Sequence, residues 1–373
     1  MLHTVVIAPD SFKGTIAAAS AAAALGRGWQ QVRPHDAVRL LPMADGGEGT
    51  VDAFATAVPG AQRMPVTVTG PEDTPVEASW VLLPPTGDAP NGTAVVELAN
   101  TSGIELLGSP ARLRPLDAHT RGFGEAIAAA LARGVSRLVL GIGSSSSTDG
   151  GTGMLTALGA RFTDAAGRPI AAGGRGLADL AAADLSGLPP LPAGGVTVLS
   201  DVTNPLLGPR GAAAVFGPQK GATPDDIAAL DAGLAGLAVV MTADPDAPGA
   251  GAAGGTGFGL LAWGAILVPG SAAVAELVGL DEAVAEASVV VTGEGSYDGQ
   301  SAAGKVPAHV GAVAAAGGVP VALVAGRITD DADVSGFAGT ASLTDLAGSG
   351  AAAMAEPERW LVAAGAALAG ALL

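Results

Sequence analysis

Short runs of β-branched and aliphatic residues recur along this chain, each followed by a glycine-bearing turn and then an alanine-rich segment with helical spacing. That alternation is the strongest constraint on the fold. A strand feeding a helix that feeds another parallel strand is the repeating unit of an open α/β sheet. The pattern predicts strands over Thr4–Ala8, Val38–Leu41, Ala94–Leu98, Arg137–Gly141, Val196–Ser200, Ser288–Thr292 and Val319–Val324. Unbroken apolar runs such as Val289-Val290-Val291 suit strands covered on both faces. A first helix is expected from Thr15, a good N-cap residue, with apolar repeats at Leu25, Trp29 and Val32. Others are expected over Arg121–Arg133 and Lys305–Ala316. The Gly- and Pro-rich stretches 59–75, 84–92, 186–195 and 244–257 read as loops, the last as a candidate mobile one.

With 373 residues the chain has length for about two domains of ~150 residues, and its 49% apolar content is enough for sizeable cores. A formal net charge of −17 argues against a general nucleic-acid or anionic-membrane binder, which would need a basic face. Nucleotides remain open as ligands. The absence of cysteine removes thiol catalysis, disulfides and thiolate metal sites. The first residues have neither a basic stretch nor a signal-peptide core. The apolar tail Leu361–Leu373 is shorter than the roughly 20 residues of a bilayer span and reads as a buried helix. A soluble cytoplasmic protein is the expectation, with oligomeric state open and a homodimer among the options. Lys13, Lys220 and Lys305 are the three lysines among 18 basic residues, and each lies beside glycine in loop-like sequence.

Strand ends that precede helices are where open α/β sheets bind ligands, because helix N-termini offer N–H groups to anions. At the first such junction, Asp10, Ser11, Lys13 and Thr15 could hold a phosphate or carboxylate, or Asp10 and Ser11 could serve only as caps. Next, Asp45-Gly46-Gly47-Glu48-Gly49 offers two carboxylates for Mg²⁺ or proton abstraction, or an ordinary Asp-Gly turn. The most specific loop is 141–153, where Gly143 is followed by Ser144, Ser145, Ser146, Ser147, Thr148 and Asp149. Small residues with successive N–H groups can form an anion nest for phosphate oxygens. It is no dinucleotide fingerprint, since Ser146 stands at the third glycine position. After Val196–Ser200, Asp201 and Asn204 form a candidate Mg²⁺ or base site. Finally, Gly299–Lys305 begins like a Walker A loop, but Val306 replaces the Ser/Thr that would bind Mg²⁺. Glu294 and Asp298 flank it as metal or substrate ligands. His3, His35, His119 and His309 show no ligand spacing and no serine partner.

Taken in order, the blocks APDSFKGT, PMADGGEGT, ELANTSGIELL, TRGFGEAI, GIGSSSSTDGGTG, SDVTNPLLGPRGAAAVFGPQKGA, GTGFGLLAWGA and GEGSYDGQSAAGK resemble the bacterial glycerate kinase type I family. The resemblance runs from Val5 to about Arg327. It implies an ATP-dependent kinase that turns D-glycerate into phosphoglycerate, with the 2-phosphate as the usual product. It also implies a flavodoxin-like parallel-sheet lobe from both chain ends (1–65 and 285–373) and a second α/β lobe inserted at 66–284. Asp10–Thr15 would then lie near Gly293–Lys305, with the Ser/Gly loop across a cleft. The chain departs from the family pattern at Ser296, where a basic residue is usual, at Thr203, and at Pro307-Ala308-His309-Val310.

On that reading Mg²⁺·ATP and glycerate meet between the lobes. Lys13 and Lys305 hold phosphates or the glycerate carboxylate, with Asp10, Ser11 and Asn204 also on the substrate. Gly143–Asp149 cradles the ATP phosphates. Asp201 accepts the hydroxyl proton or binds Mg²⁺, with Asp45, Glu48, Glu294 and Asp298 as the other acidic candidates. The rival readings are a kinase for a related hydroxy-acid, a 3-phosphoglycerate-forming enzyme, and a non-catalytic metabolite-binding protein.

Overall fold

In the computed structural model, residues 3–12, 14–108, 112–299 and 306–372 are described. The chain divides into two compact units, the first comprising Met1–Asp45, Asp52–Pro59 and Ser271–Leu373, and the second Gly46–Val51 and Gly60–Gly270. Strands in chain order are β1 (Thr4–Pro9), β2 (Ala37–Leu40), β3 (Gln62–Thr69), β4 (Pro75–Leu83), β5 (Thr93–Glu97), β6 (Arg137–Gly141) and β7 (Arg161–Thr163). They continue with β8 (Ala182–Asp184), β9 (Val196–Leu199), β10 (Ile266–Val268), β11 (Val289–Tyr297), β12 (Val321–Ile328) and β13 (Gly339–Ser342).

The first unit holds an all-parallel sheet in the order β13-β12-β11-β1-β2, built from both ends of the chain. Apolar runs on β1 and β11 bury Val5, Ile7, Val289 and Val291 completely or nearly so, as strands covered on both faces require. The helix Ala18–Val32 packs Leu25 and Trp29 onto this sheet beside the C-terminal helix Pro357–Leu372, which buries Leu361 and Leu368. Trp29 satisfies its indole N–H on Asp36 Oδ2 at 3.0 Å, which also accounts for that carboxylate lying inside. The first helix begins at Ala18, three residues after the expected Thr15. Phe12 and Ile16 form a small antiparallel bridge, and the Thr15 amide is turned back onto the Phe12 carbonyl, so Thr15 belongs to a turn.

The second unit carries a six-stranded sheet, β10-β9-β6-β5-β4-β3. β5, β6, β9 and β10 are mutually parallel, while β3, β4 and β5 run antiparallel to their neighbours in that series. Its core gathers Trp80, Phe123, Ile127, Leu138, Leu140, Leu155 and Phe258; each Leu or Ile buried this way contributes roughly 1.5–3 kcal/mol.

Two expected loops are corrected by this sheet and its core. The stretch 59–75 contains β3, whose alternate residues Met64, Val66 and Val68 pack on the core. Pro65 is tolerated because β3 is an edge strand and needs no second ladder. The stretch 244–257 is loop only in its first half, where residues 244–251 are turns with Asp244, Asp246 and Pro248 exposed. Gly249–Ala252 and Gly254–Gly257 are buried, and a helical segment starts at Ala252. Ala253, Gly254 and Gly255 form one left-handed turn at the start of the helical segment Ala252–Trp263. No helix among the described residues is long and apolar enough to cross a membrane.

Candidate active site

The parallel strands of the second unit end side by side. Glu97 pairs with Gly141, and Gly141 with Leu199, so the segments that follow β5, β6 and β9 leave one sheet edge together. After β9, Asp201 is exposed, and its Oδ1 accepts the Gly270 amide at 2.8 Å, which ties it to the turn following β10. Asn204 uses its side-chain amide to donate to the Arg210 carbonyl at 2.8 Å, closing its own loop.

The Ser/Gly loop after β6 faces both ways, and only its first turn reaches solvent. Ser144 is exposed with φ 56°, whereas Ser145 through Gly150 are buried. Ser146 Oγ donates to the Ser102 carbonyl at 2.7 Å. Ser147 Oγ reaches Asp149 at 3.4 Å, and Thr148 Oγ1 is buried with no hydrogen-bond partner among the described residues. Asp149 is fully buried. Its carboxylate accepts the Thr120 amide (2.9 Å) and hydroxyl (2.8 Å) and the amides of Gly151 (3.1 Å) and Gly153 (3.2 Å). The acid assigned to nucleotide by sequence is therefore an internal tie between this loop and the helix Arg121–Ala132. Ser144 is the exposed residue of this turn, and the amides of Ser144 and Ser145 make no hydrogen bond of ordinary geometry among the described residues. Anion nests are built on successive N–H groups in an αR–αL or turn conformation, and Ser144 supplies the left-handed residue of such a turn.

Two neighbouring segments hold this turn in place. Gly46 (φ +94°) lies so close to β9 that a Cβ there would stand 2.3 Å from the Leu199 carbonyl oxygen, and its own carbonyl accepts the Gly143 amide at 2.9 Å. Beneath the loop, Gly254 (φ +65°) allows the left-handed turn to touch the Ser147 carbonyl, which a Cβ would meet at 2.0 Å. Glu97, almost wholly buried at the end of β5, accepts the amides of Gly49 (3.2 Å) and Val51 (2.9 Å), where the helix Thr50–Ala57 begins. A carboxylate there favours the positive end of the helix dipole. Glu48 stands exposed on the same glycine-rich turn.

Sequence reasoning missed the roles of Glu97, Thr120 and Lys220. The first had a visible signal, a lone carboxylate closing a wholly apolar strand. Lys220 is 2% exposed, and its ammonium donates to Ser145 Oγ at 2.8 Å and to the Ser147 carbonyl. Burial pushes its pKa down to about 7, with the Asp149 charge pulling the other way.

In the first unit, Pro9 pairs with Gly293 and the Asp10 amide donates to the Gly293 carbonyl at 2.8 Å. Asp10 therefore leaves β1 beside Glu294, a buried carboxylate on β11, as the resemblance implied for these two segments. Asp10 Oδ1 accepts the Ser11 amide at 2.6 Å. The Met43 amide bonds to Pro9, so the segment ending at Asp45 starts from the same sheet edge. Asp298 follows β11, half-buried. Ser296 lies opposite Arg327 in the β11–β12 register, and the guanidinium donates to its hydroxyl at 3.4 Å, so a cation occupies this position from the adjacent strand. Lys13 and Lys305 lie outside the described residues. Among the described residues no three His, Cys, Asp or Glu side chains gather as a metal-binding group.

The Glycerate kinase family model matches residues 5–373. A "Glycerate 2-kinase" from Escherichia coli (strain K12) is 44% identical over 338 residues, which cover 88% of this chain and 87% of its own. A "Glycerate kinase" from Bacillus subtilis (strain 168) is 44% identical over 336 residues, covering 88% and 86%. The crystal structure of a "putative glycerate kinase 2" from Salmonella typhimurium LT2 is similar with a TM-score of 0.83 at 40% identity, over 100% of this chain and 98% of that one. With the family match reaching from residue 5 to residue 373, and relatives of this identity covering most of the sequence, the protein belongs to the glycerate kinase family.

Proposed function

We propose that this chain transfers the γ-phosphoryl group of ATP to D-glycerate with Mg²⁺ assistance, releasing ADP and 2-phosphoglycerate. The observation that carries the reading is the strand-end edge of the second unit, where exposed Asp201 leaves β9 next to the nest-shaped turn that leaves β6. A carboxylate beside such a turn supplies a proton acceptor and a phosphate cradle, the two elements phosphoryl transfer asks of a protein. The acceptor and the 2-position come from the names of the relatives.

In the proposed reaction the glycerate hydroxyl oxygen bonds to the γ-phosphorus, and the bond from that phosphorus to the β–γ bridging oxygen breaks. Asp201 takes the hydroxyl proton or, in the alternative role offered for it, binds Mg²⁺. The amides of Ser144 and Ser145 hold phosphate oxygens and add no charge of their own to be desolvated. For the glycerate carboxylate and hydroxyls the candidates are Asp10, Ser11 and Lys13 in the first unit or Asn204 in the second, with Asp45 a further candidate acid. Lys305 is offered for phosphate, and Arg327 brings a cation to Ser296, where the family pattern has a basic residue.

The donors present suit Mg²⁺, a hard cation that takes oxygen ligands. It is commonly held by one or two carboxylates together with substrate phosphates. Asp201 and Glu48 in the second unit and Glu294 and Asp298 in the first are the candidate ligands. Bound Mg²⁺ would neutralise charge on the transferring phosphate oxygens.

ADP release measured with D-glycerate, L-glycerate and other short hydroxy-acids tests the acceptor. The highest kcat/KM is expected with D-glycerate. A tenfold preference for another acid would replace the substrate, and no ADP release from folded protein would remove the kinase reading.

A further inference from the structure

Lys220 is a buried ionisable group that the proposed reaction does not use, and its position is specific. It ends a short turn, Pro218–Lys220, closed by Gly221 in a left-handed conformation (φ +87°). From there its side chain runs inward to the underside of the Ser/Gly loop. It donates to the Ser145 hydroxyl and to the Ser147 carbonyl, the two residues that flank Ser146. Ser145 thus has its hydroxyl fixed by Lys220, while its amide makes no hydrogen bond of ordinary geometry among the described residues.

The electrostatics point the same way. Asp149 is the charged group that acts on Lys220, and it reaches the ammonium through Ser147, whose hydroxyl contacts Asp149 and whose carbonyl contacts Lys220. The other elements around the turn add little. The helix Ala212–Phe216 and the helical segment Ala252–Trp263 carry no ionisable side chains. Asp226 is spent capping Thr223, Asp225 and Glu105 are exposed, and Arg175 is paired with Asp117 at the surface. With the Asp149 carboxylate already accepting four donors from Thr120, Gly151 and Gly153, the lysine charge is only partly compensated from within. A shape requirement alone would be met at lower cost by a neutral side chain, because burying an ammonium is unfavourable.

We propose that Lys220 is a positioning residue for phosphate binding: it fixes Ser145 and Ser147 from inside the protein so that the Ser144 and Ser145 amides face a nucleotide phosphate, and its charge favours that anion. The proposal rests on the reading of this loop as the phosphate cradle. Because burial brings the Lys220 pKa down to about 7, it also ties phosphate affinity to pH. An anion in the loop favours the ammonium form, so binding draws a proton onto Lys220 above neutrality.

The test is calorimetric titration of MgADP into the wild type, Lys220→Met and Ser145→Ala from pH 6.5 to 8.5, in two buffers of different ionisation enthalpy. Hydrogen exchange of the 143–149 peptide with and without MgADP accompanies it. Wild type is expected to lose several-fold in affinity as pH rises and to take up part of a proton on binding. Lys220→Met is expected to bind at least tenfold more weakly at pH 6.5, with that pH dependence and proton uptake gone. Ser145→Ala, which keeps the lysine, should show a smaller loss with the pH dependence retained. Comparing proteins cancels protons bound by the nucleotide itself. If Lys220→Met does not fold, the wild-type proton uptake and the Ser145→Ala loss carry the test, and the absence of both overturns the proposal. No protection of the 143–149 peptide would overturn the cradle reading and this proposal with it. Protection together with unchanged affinity and pH profile in Lys220→Met would overturn the lysine's role and leave the cradle standing.

Discussion

Two loops leave neighbouring parallel strands of the second unit and spend their polar residues in opposite directions. After β6, the run Ser145–Asp149 is buried and spends its side chains on Ser102, Thr120, Lys220 and, from Ser147, its own Asp149. After β9, Asp201 keeps its carboxylate at the surface and uses one oxygen to anchor itself to Gly270. In sequence the first loop looks like a wall of hydroxyls for a ligand. In the structure those hydroxyls are scaffold, and the groups left for an anion are peptide N–H donors in the first turn. A charged side chain at a strand end can do chemistry when it stands outside. A dense hydroxyl loop can serve by fixing backbone.

The sharpest way to break this contrast is Asp149→Ala. It would strand the Thr120, Gly151 and Gly153 donors and leave the buried Lys220 without its balancing charge, costing about 4 kcal/mol of stability. Denaturant unfolding checks this, and a loss below about 1 kcal/mol would contradict the internal role. Asp201→Asn should behave in the reverse manner. The amide oxygen can still accept from Gly270, so the fold is kept, while turnover falls at least ~100-fold, equivalent to about 2.7 kcal/mol of barrier. Near-normal kcat in the folded variant would remove Asp201 from the reaction.

A smaller effect comes from Lys220 and pH. Between about 7, its folded value, and 10.5, its ordinary value, the unfolded chain binds a proton that the folded chain does not. Stability attributable to this group therefore rises with pH across that window, by at most about 1.4 kcal/mol per unit. Urea midpoints at pH 7 and 9 should show the wild type gaining on Lys220→Met by on the order of 2 kcal/mol. An unchanged difference would mean that the lysine keeps its proton in the folded chain across this range, its pKa not lowered by burial. The same proton should thus favour unfolding and nucleotide binding alike. The smallest expected effect is Ser144→Gly. Ser144 is exposed and glycine accepts φ 56° readily, so stability should move by less than about 1 kcal/mol. Turnover should stay within about threefold, and a tenfold loss would return the hydroxyl to the site.

Much of the fold could be read from the residues, because β-branched runs that must be buried on both faces look alike wherever they occur. Arg137–Gly141 and the starts of β1 and β9 were found where expected. β3 was hidden by Pro65 and the Gly70-Pro71 turn, features that signal loops unless the strand lies at an edge. The Gly249–Gly257 segment was hidden by its own density of glycine. There the residue marks a place where two backbones touch, and the Gly254 contact with Ser147 exists only in three dimensions. Of the site, the strand-end loops were legible as positions, since a helix start after a strand is a local pattern. Which way Asp149 and the serines faced was not, because that depends on Thr120, Ser102 and Lys220, all distant in sequence. Glu97 stood out as a lone carboxylate at the end of an apolar run, but its role escaped because its partners Gly49 and Val51 lie far upstream.

The most direct measurement is phosphorus NMR of the purified protein with Mg²⁺·ATP and D-glycerate. A new phosphomonoester signal matching 2-phosphoglycerate, growing with that of ADP, is the predicted result. A 3-phosphoglycerate signal would contradict the position of transfer, and intact ATP with folded protein would contradict the proposed reaction itself.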